Sequence, residues 1–577
     1  MRLILLHVFI ILKIVISYTK PYQYHATYSR TEGVYDIYWS VEPNLEKIQL
    51  KLCQKLNKQF SFPIWSGIGF SDHGKLENSD LFVVNRLKFL GFDLHTNKYG
   101  RIIKDERQDY LLKDNIINHE QFCFTIQRKV NTCDKNDYQI DRGTTNIIIF
   151  SLKNKQNMNN ELHVDFLNYF VVLLQLLRST IPISEISPST RSMEITVNYI
   201  EIPASQTTYW CKVIQLPYLD KKHHIIKYEA VISATSQGIV HHMELFHCIR
   251  SPGNDVKRFN GPCNSESKPM GLTMCRKVIA AWAMGAPAFT YPEQVGNPIG
   301  GENFSTYAIL EIHFNNQDEK KGIIDNSGLR LFYTDKLRQY DAGIIELGLE
   351  YTEKNFIPPK QKSFALSGYC SEKCSRQALP ANGIYVFGSQ LHTHLTGIQV
   401  ETRHFRKHRE LKPLNRDKHY QPHYQEIRLL PKIVNVLPGD ILVTTCIYKT
   451  TNRTKVTFGG IEITDEMCLN YIFYYPKIEL ELCKSSVSDV VFENLPEKEF
   501  RNFKETFNRV NWSDKNSKLL ERFYDEAPVH QSCNMSDSDS FEGDWNAIIT
   551  PILETRDYDL EKQSFECLMR KFEDFEN

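Results

Sequence analysis

Ser389-Gln390-Leu391-His392-Thr393-His394-Leu395-Thr396-Gly397 sets two imidazoles, His392 and His394, two positions apart in a β-type sequence. Side chains alternate across a strand, so the spacing predicts both rings on one face and Thr393 on the other. Two neutral imidazoles on one face are half a metal site. Downstream, Asp465-Glu466-Met467-Cys468 offers a thioether that completes it. Imidazole with thioether favours copper, Cu(I) above all, over zinc, magnesium or calcium.

A second cluster lies upstream in Val240-His241-His242-Met243-Glu244-Leu245-Phe246-His247-Cys248, with His313 inside the strand-like run from Ala308 to Phe314. Neighbouring residues of a regular strand point to opposite faces, so His241 and His242 share a metal only where the backbone is irregular. Three histidines alone also suit zinc, whereas Met467 argues against zinc at the other site. The doublet His223-His224 follows Lys221 and Lys222, whose charge opposes cation binding, and is read as structural.

These stretches occur in one order with Thr207 to Cys211, His223 to Glu229 and Ala280 to Ala288, between about Tyr35 and about Cys567. Together they resemble the copper type II, ascorbate-dependent monooxygenases, and within that family the β-hydroxylases. The resemblance implies a mainly β chain: a DOMON β-sandwich at 35–152, a linker at 153–190, jelly-roll-like copper domains at 191–354 and 355–490, and a partly helical tail at 491–577. Short apolar runs separated by Asp, Asn and Gly turns before residue 152 fit a sandwich on their own. The apolar stretch Phe166 to Leu177 is read as a helix packed between domains, too short to cross a bilayer.

For function, the resemblance implies two copper ions and ascorbate as electron donor. His241, His242 and His313 would hold a relay copper, and His392, His394 and Met467 the copper that meets dioxygen. Tyr209 and His392 match catalytic positions, and Tyr474 an aromatic near the second copper. A protonated amine substrate calls for a carboxylate, for which Glu346 is the candidate. Asp80, the Leu94 carbonyl and Asp109 match a candidate calcium site; solvated turn aspartates are the alternative. The reaction implied is β-hydroxylation of a phenylethylamine, dopamine to noradrenaline or, as the alternative, tyramine to octopamine. Competing readings are an orphan relative and a non-catalytic extracellular copper-binding module.

Residues 1–17 carry one early Arg and then an almost continuous apolar run broken by Lys13, which fits a cleaved secretory signal better than a retained anchor. Secretion, into a vesicle lumen or out of the cell, makes disulfides the expected use of the 14 cysteines. The resemblance pairs Cys133 with Cys567, Cys211 with Cys263, Cys248 with Cys275, Cys370 with Cys483, Cys374 with Cys533, and Cys446 with Cys468; it gives Cys53 and Cys123 no partner, which leaves them to bridge each other or a second chain. The segment from Pro496 to Trp512 lacks the Cys-x-Cys that links vertebrate subunits, so any homo-oligomer is expected to be non-covalent. Sequons stand at Asn303, Asn452, Asn511 and Asn534. With 69 basic and 69 acidic residues the net charge is zero, and no global field draws the chain to nucleic acid.

Overall fold

Along Gly33–Val41, Ile37, Trp39 and Val41 turn inward while Tyr38 and Ser40 lie nearer the surface. This two-residue rhythm recurs down the chain and yields three β-sandwiches. The computed structural model describes residues 22–556, apart from short stretches that include 155–163, 249–253 and 493–501, together with Cys567. The apolar run 1–17 and Asn303 lie outside the described residues. Asn452 and Asn511 are exposed, and Asn534 is half-buried with its Oδ1 accepting from Ser540 Oγ at 3.0 Å.

In the N-terminal sandwich, the first sheet orders Tyr24–Arg30, Gly33–Val41, Lys47–Leu56, Phe122–Lys129 and Leu111–Ile117. The second orders Val164–Leu174, Thr145–Asn154, Trp65–Ser71, Asp80–Asn85, Leu90–Thr96 and Ile102–Lys104. Trp39, Phe70, Phe82, Phe122 and Ile147 fill the space between them. The expected linker therefore needs correcting. Val164–Leu174 is an edge strand antiparallel to Thr145–Asn154, with Ile147 opposite Val172 and Ile149 opposite Phe170. A short apolar run has no period that separates strand from helix, and here its β-branched and aromatic residues complete a sheet.

The middle sandwich packs a sheet containing Arg191–Thr196, Gly328–Thr334, His223–Val231, Val295–Ile299 and Tyr340–Asp341 against one ordered Asn260–Pro262, Thr207–Gln215, Tyr307–Asn315, Val240–Cys248, Cys275–Ala283. The C-terminal sandwich sets Arg428–Val436, Ile384–His392, Leu469–Tyr475, Gly343–Leu349, Leu480–Val487 and Val529–Met535 against Phe364–Cys370, Ile441–Tyr448 and Gly397–Arg406. Gly343–Leu349 thus belongs to the C-terminal sheet, and the expected boundary at 354 falls too late. It pairs with Leu469–Tyr475 on one side and Leu480–Val487 on the other.

The tail is anchored, not loose. Its strand Val529–Met535 extends the C-terminal sheet, and the helix Asp514–Glu526 is capped by Ser513 Oγ accepting from Asn516 N. The six pairs named above form, Cys53 bridges Cys123 as a seventh, and no described cysteine is free. Cys133–Cys567 returns the tail to the N-terminal sandwich. That sandwich is also clamped to the C-terminal one. Arg428 donates to Asp417 Oδ2 at 2.9 Å and to Thr144 Oγ1 at 2.7 Å, and Thr144 Oγ1 donates to Asp417 Oδ2 at 2.6 Å.

Inside the N-terminal sandwich Arg128 is 2% exposed and pairs with Asp80, while also donating to Tyr110 Oη at 2.8 Å and the Tyr138 carbonyl at 2.7 Å. Arg128→Leu leaves Asp80 buried without its counter-ion. The expected cost is about 3–5 kcal/mol, read as a lowered urea midpoint for unfolding of this sandwich; an unchanged midpoint would show that the pair is not a structural keystone. With every described cysteine paired within the chain, nonreducing gels should run the protein as a single chain.

Candidate metal centre

Three adjacent strands of the middle sandwich bring the first histidines together. Their register aligns Tyr209, His313 and His242 in one row and Cys211, Glu311 and Glu244 in the next row on the same face. The irregularity that His241 requires is present: the ladder slips between Val240, opposite Phe314, and His242, opposite His313. This bulge turns the His241 ring to the side of His242, with their Nδ1 atoms 3.2 Å apart.

Ring centroids stand 5.4 Å apart for His241–His242, 4.9 Å for His241–His313 and 4.8 Å for His242–His313. A metal–imidazole bond of about 2.0 Å puts the rings of a shared metal about 5 Å apart, so the triad fits one ion. Both nitrogens of His313 are buried without a hydrogen-bond partner. Buried imidazoles left in that state point to a metal. Burial, then the neighbouring histidines, pushes His241 down to about 3 and His313 to about 4; the same causes hold His242 well below the usual range. The Tyr209 ring lies parallel on His313 at 4.4 Å, and burial with Glu311 and Glu244 pushes its hydroxyl up to about 12.

The second set differs from expectation in its backbone. The strand Ile384–His392 ends at His392, so Thr393 and His394 are not on it. Thr393 N donates to Tyr420 Oη at 2.9 Å, and His394 N to Glu466 Oε2 at 3.0 Å. Glu466 Oε1 also accepts from Thr396 N at 2.6 Å and Thr396 Oγ1 at 2.7 Å. One buried carboxylate therefore ties the His392–Gly397 turn to the residue preceding Met467. Tyr448 Oη donates to the Met467 carbonyl at 2.7 Å, and Cys446–Cys468 fixes the other side.

The two rings are 5.3 Å apart and nearly perpendicular. Gln425 uses Nε2 on the carbonyls of Thr393 and Pro422, so its Oε1 must accept from His392 Nδ1–H, which frees Nε2. His394 Nδ1–H likewise meets the Asp465 carbonyl at 3.1 Å. Such second contacts fix which nitrogen can ligate. Burial, with His394, pushes His392 down to about 3 despite the Gln425 contact. Two imidazoles beside a thioether-bearing residue fit copper.

The two walls face one another. His392 contributes to the lowered pKa of His242, and Gln390 Nε2 donates to Glu244 Oε1 at 3.2 Å. From the C-terminal side His423 brings its ring to 5.2 Å from His241. The sequence reading gave no role to His423, Gln425 or Glu466; the only signal for the first two was a His and an amide one and three residues after Pro422 in a turn-like segment. A cavity of about 1970 Å³ opens between the N- and C-terminal sandwiches behind the Gln425 loop, and none of the six candidate ligands lines it.

Two expected residues fall elsewhere. Tyr474, expected beside the second copper, is 1% exposed in the C-terminal core with its hydroxyl on the Ile478 backbone. Tyr471, opposite Gln390, is the tyrosine on the cleft-facing side. Glu346 is paired with Lys484 Nζ at 2.6 Å and accepts from Tyr351 Oη, so its charge is already balanced. In the N-terminal sandwich Asp93 and Asp137 converge with Asp80, and Asp109 adjoins them with its N–H on Asp93 Oδ2 at 2.8 Å. The Leu94 side chain packs in an apolar layer, and Asp109 also pairs with Arg107 at 3.2 Å. Burial and the neighbouring carboxylates push Asp93 up to about 9.

Protons begin to compete with a metal as pH falls through the ligands' own pKa. An ordinary imidazole at 6.5 meets that competition in mildly acidic solution, whereas burial defers it to about 4 for His313 and about 3 for His241. Copper at the triad should therefore survive dialysis at about pH 5. Loss of the metal there would contradict neutral, buried ligands.

Comparison with known proteins agrees with this geometry. Residues 193–321 match the copper type II ascorbate-dependent monooxygenase N-terminal domain, 340–496 its C-terminal domain, and 31–153 a DOMON domain. Dopamine beta-hydroxylase of Bos taurus is 39% identical over 556 residues, covering 93% of this chain and 89% of that protein. The Homo sapiens protein of that name is 40% identical, over 91% and 86% of the two chains. Tyramine beta-hydroxylase of Caenorhabditis briggsae is 36% identical, over 88% and 90%. With its two histidine walls in these two domains, the chain belongs to the copper type II ascorbate-dependent monooxygenases, as a β-hydroxylating enzyme that uses copper and ascorbate.

Proposed function

We propose that the enzyme β-hydroxylates dopamine to noradrenaline in catecholamine synthesis, with one copper on His241, His242 and His313 and a second on His392, His394 and Met467. The observation that carries this reading is the Glu466 tether, which joins the His392-Thr393-His394 turn to the Met467 segment opposite the histidine triad. Copper bound there supplies the one-electron chemistry by which dioxygen is reduced at ascorbate's expense. One oxygen atom enters the benzylic C–H bond and the other leaves as water, with two electrons and two protons drawn from ascorbate.

The chain's own groups position and shield. Gln425 and the Asp465 carbonyl orient His392 and His394 by their Nδ1–H groups, and Tyr209 packs on His313. Asp80, Asp93 and Asp137 suit a hard cation such as calcium in the DOMON domain. Seven disulfides fit a secretory vesicle lumen or the extracellular space, and no described helix is long and apolar enough to cross a membrane. Tyramine is the second substrate reading, because the nematode relative named for it is nearly as similar.

The test is a panel of phenylethylamines with the copper-loaded protein, ascorbate and oxygen. Benzylic hydroxylation with dopamine preferred supports the proposal; no benzylic product from any of them would overturn it. Met467→Ile should abolish hydroxylation while copper stays on the triad, since the soft ligand is lost from the oxygen side. His241→Ala should lower copper toward one per chain and slow ascorbate-driven turnover; two coppers with normal turnover would remove the triad from the reading.

A further inference from the structure

With Glu346 neutralised by Lys484, another group must meet the substrate's charge. We propose that Glu244, with the amide oxygen of Gln390, receives the substrate ammonium; the assignment rests on the phenylethylamine reading above. Glu244 lies two residues beyond His242 on one strand, and Gln390 two residues before His392 on the strand facing it. Side chains two apart share a face and are spaced by about 7 Å. In a phenylethylamine the nitrogen is two bonds from the benzylic carbon. A substrate whose benzylic carbon stands between the His392 row and the next one therefore carries its ammonium toward that next row, where Glu244 and Gln390 meet.

The polar groups of that row are arranged for a cation. Gln390 is 1% exposed, and its Nε2 is shared between Glu244 Oε1 and the Gln425 carbonyl, each at 3.2 Å. Because Nε2 faces two acceptors, the amide orientation is set, and Gln390 Oε1 is left buried without a donor. Orphaned buried acceptors are rare and call for a donor. Glu244 makes no ion pair with any described side chain, and Glu311 stands directly opposite it on the adjacent strand. Two carboxylates side by side repel, and a cation between them relieves the repulsion. An ammonium brings three donors and one positive charge, enough for Glu244, Gln390 Oε1 and one further acceptor. Tyr471, opposite Gln390 in the ladder, bounds the row.

The experiment compares 2-phenylethylamine with its neutral analogue 2-phenylethanol on the copper-loaded protein, by calorimetric binding and by KM. Glu244→Gln keeps the shape and removes the charge. It should weaken the amine by roughly 30-fold or more and change the alcohol by less than about threefold, with copper content intact. Gln390→Met should weaken the amine alone by a smaller factor, and it decides the matter if Glu244→Gln loses copper. Equal amine affinity in wild type and both variants, or equal losses for amine and alcohol, would overturn the assignment. A wild-type protein that binds the amine through Glu244 yet hydroxylates no phenylethylamine would instead sink the functional reading and leave the ammonium site standing.

Discussion

The middle and C-terminal sandwiches share one hydrophobic core, and the position of every functional group depends on it. Phe387, Ile427, Phe473 and Tyr475 come from the C-terminal sandwich yet pack among Tyr228, Phe289, Tyr291 and Leu310 of the middle one. Tyr340 stacks on Tyr475 at 4.9 Å, and Tyr291 meets Phe387 at 6.0 Å. Each buried aromatic contributes on the order of 4 kcal/mol gross, enough to fix how the two sheets face. Once Phe473 is committed to that core, strand alternation puts Tyr471 on the same side, and Gln390, opposite Tyr471, and His392 follow it to where the histidine triad stands; the bulge between Val386 and Gly388 lets Phe387 share that side.

Local chemistry was legible in the sequence because it needs only neighbours. The His392-Thr393-His394 pair, the Met467 segment and the condition that His241 and His242 share a face only at an irregularity were all readable; the bulge after Val240 meets that condition. What depends on register was not readable. Tyr474 and Tyr471 differ only in which side of one strand they occupy, and only the pairing with Ile384–His392 decides it. Glu346 looked available because its partner Lys484 is 138 residues away in sequence. The strand Val164–Leu174 passed for a helix because its stretch from Tyr169 to Leu174 is apolar without alternation.

Burial does a second service at the metal walls. The same low dielectric that excludes water from His241, His242, His313 and His392 keeps the imidazoles neutral, the form that can ligate. Local hydrogen bonds from Gln425 and the Asp465 carbonyl then choose the ligating nitrogen. The disulfides act chiefly on the unfolded chain. Cys374–Cys533 and Cys133–Cys567 close loops of 159 and 434 residues, and loop closure on this scale removes denatured-state freedom.

The most direct test of the account is the fate of isotopic oxygen. Copper-loaded protein given ascorbate, dopamine and ¹⁸O-labelled dioxygen should yield a benzylic alcohol carrying one labelled oxygen atom, with the label retained when the water is unlabelled. An unlabelled alcohol, or hydroxylation confined to the ring, would contradict a copper-dependent insertion between these two histidine walls.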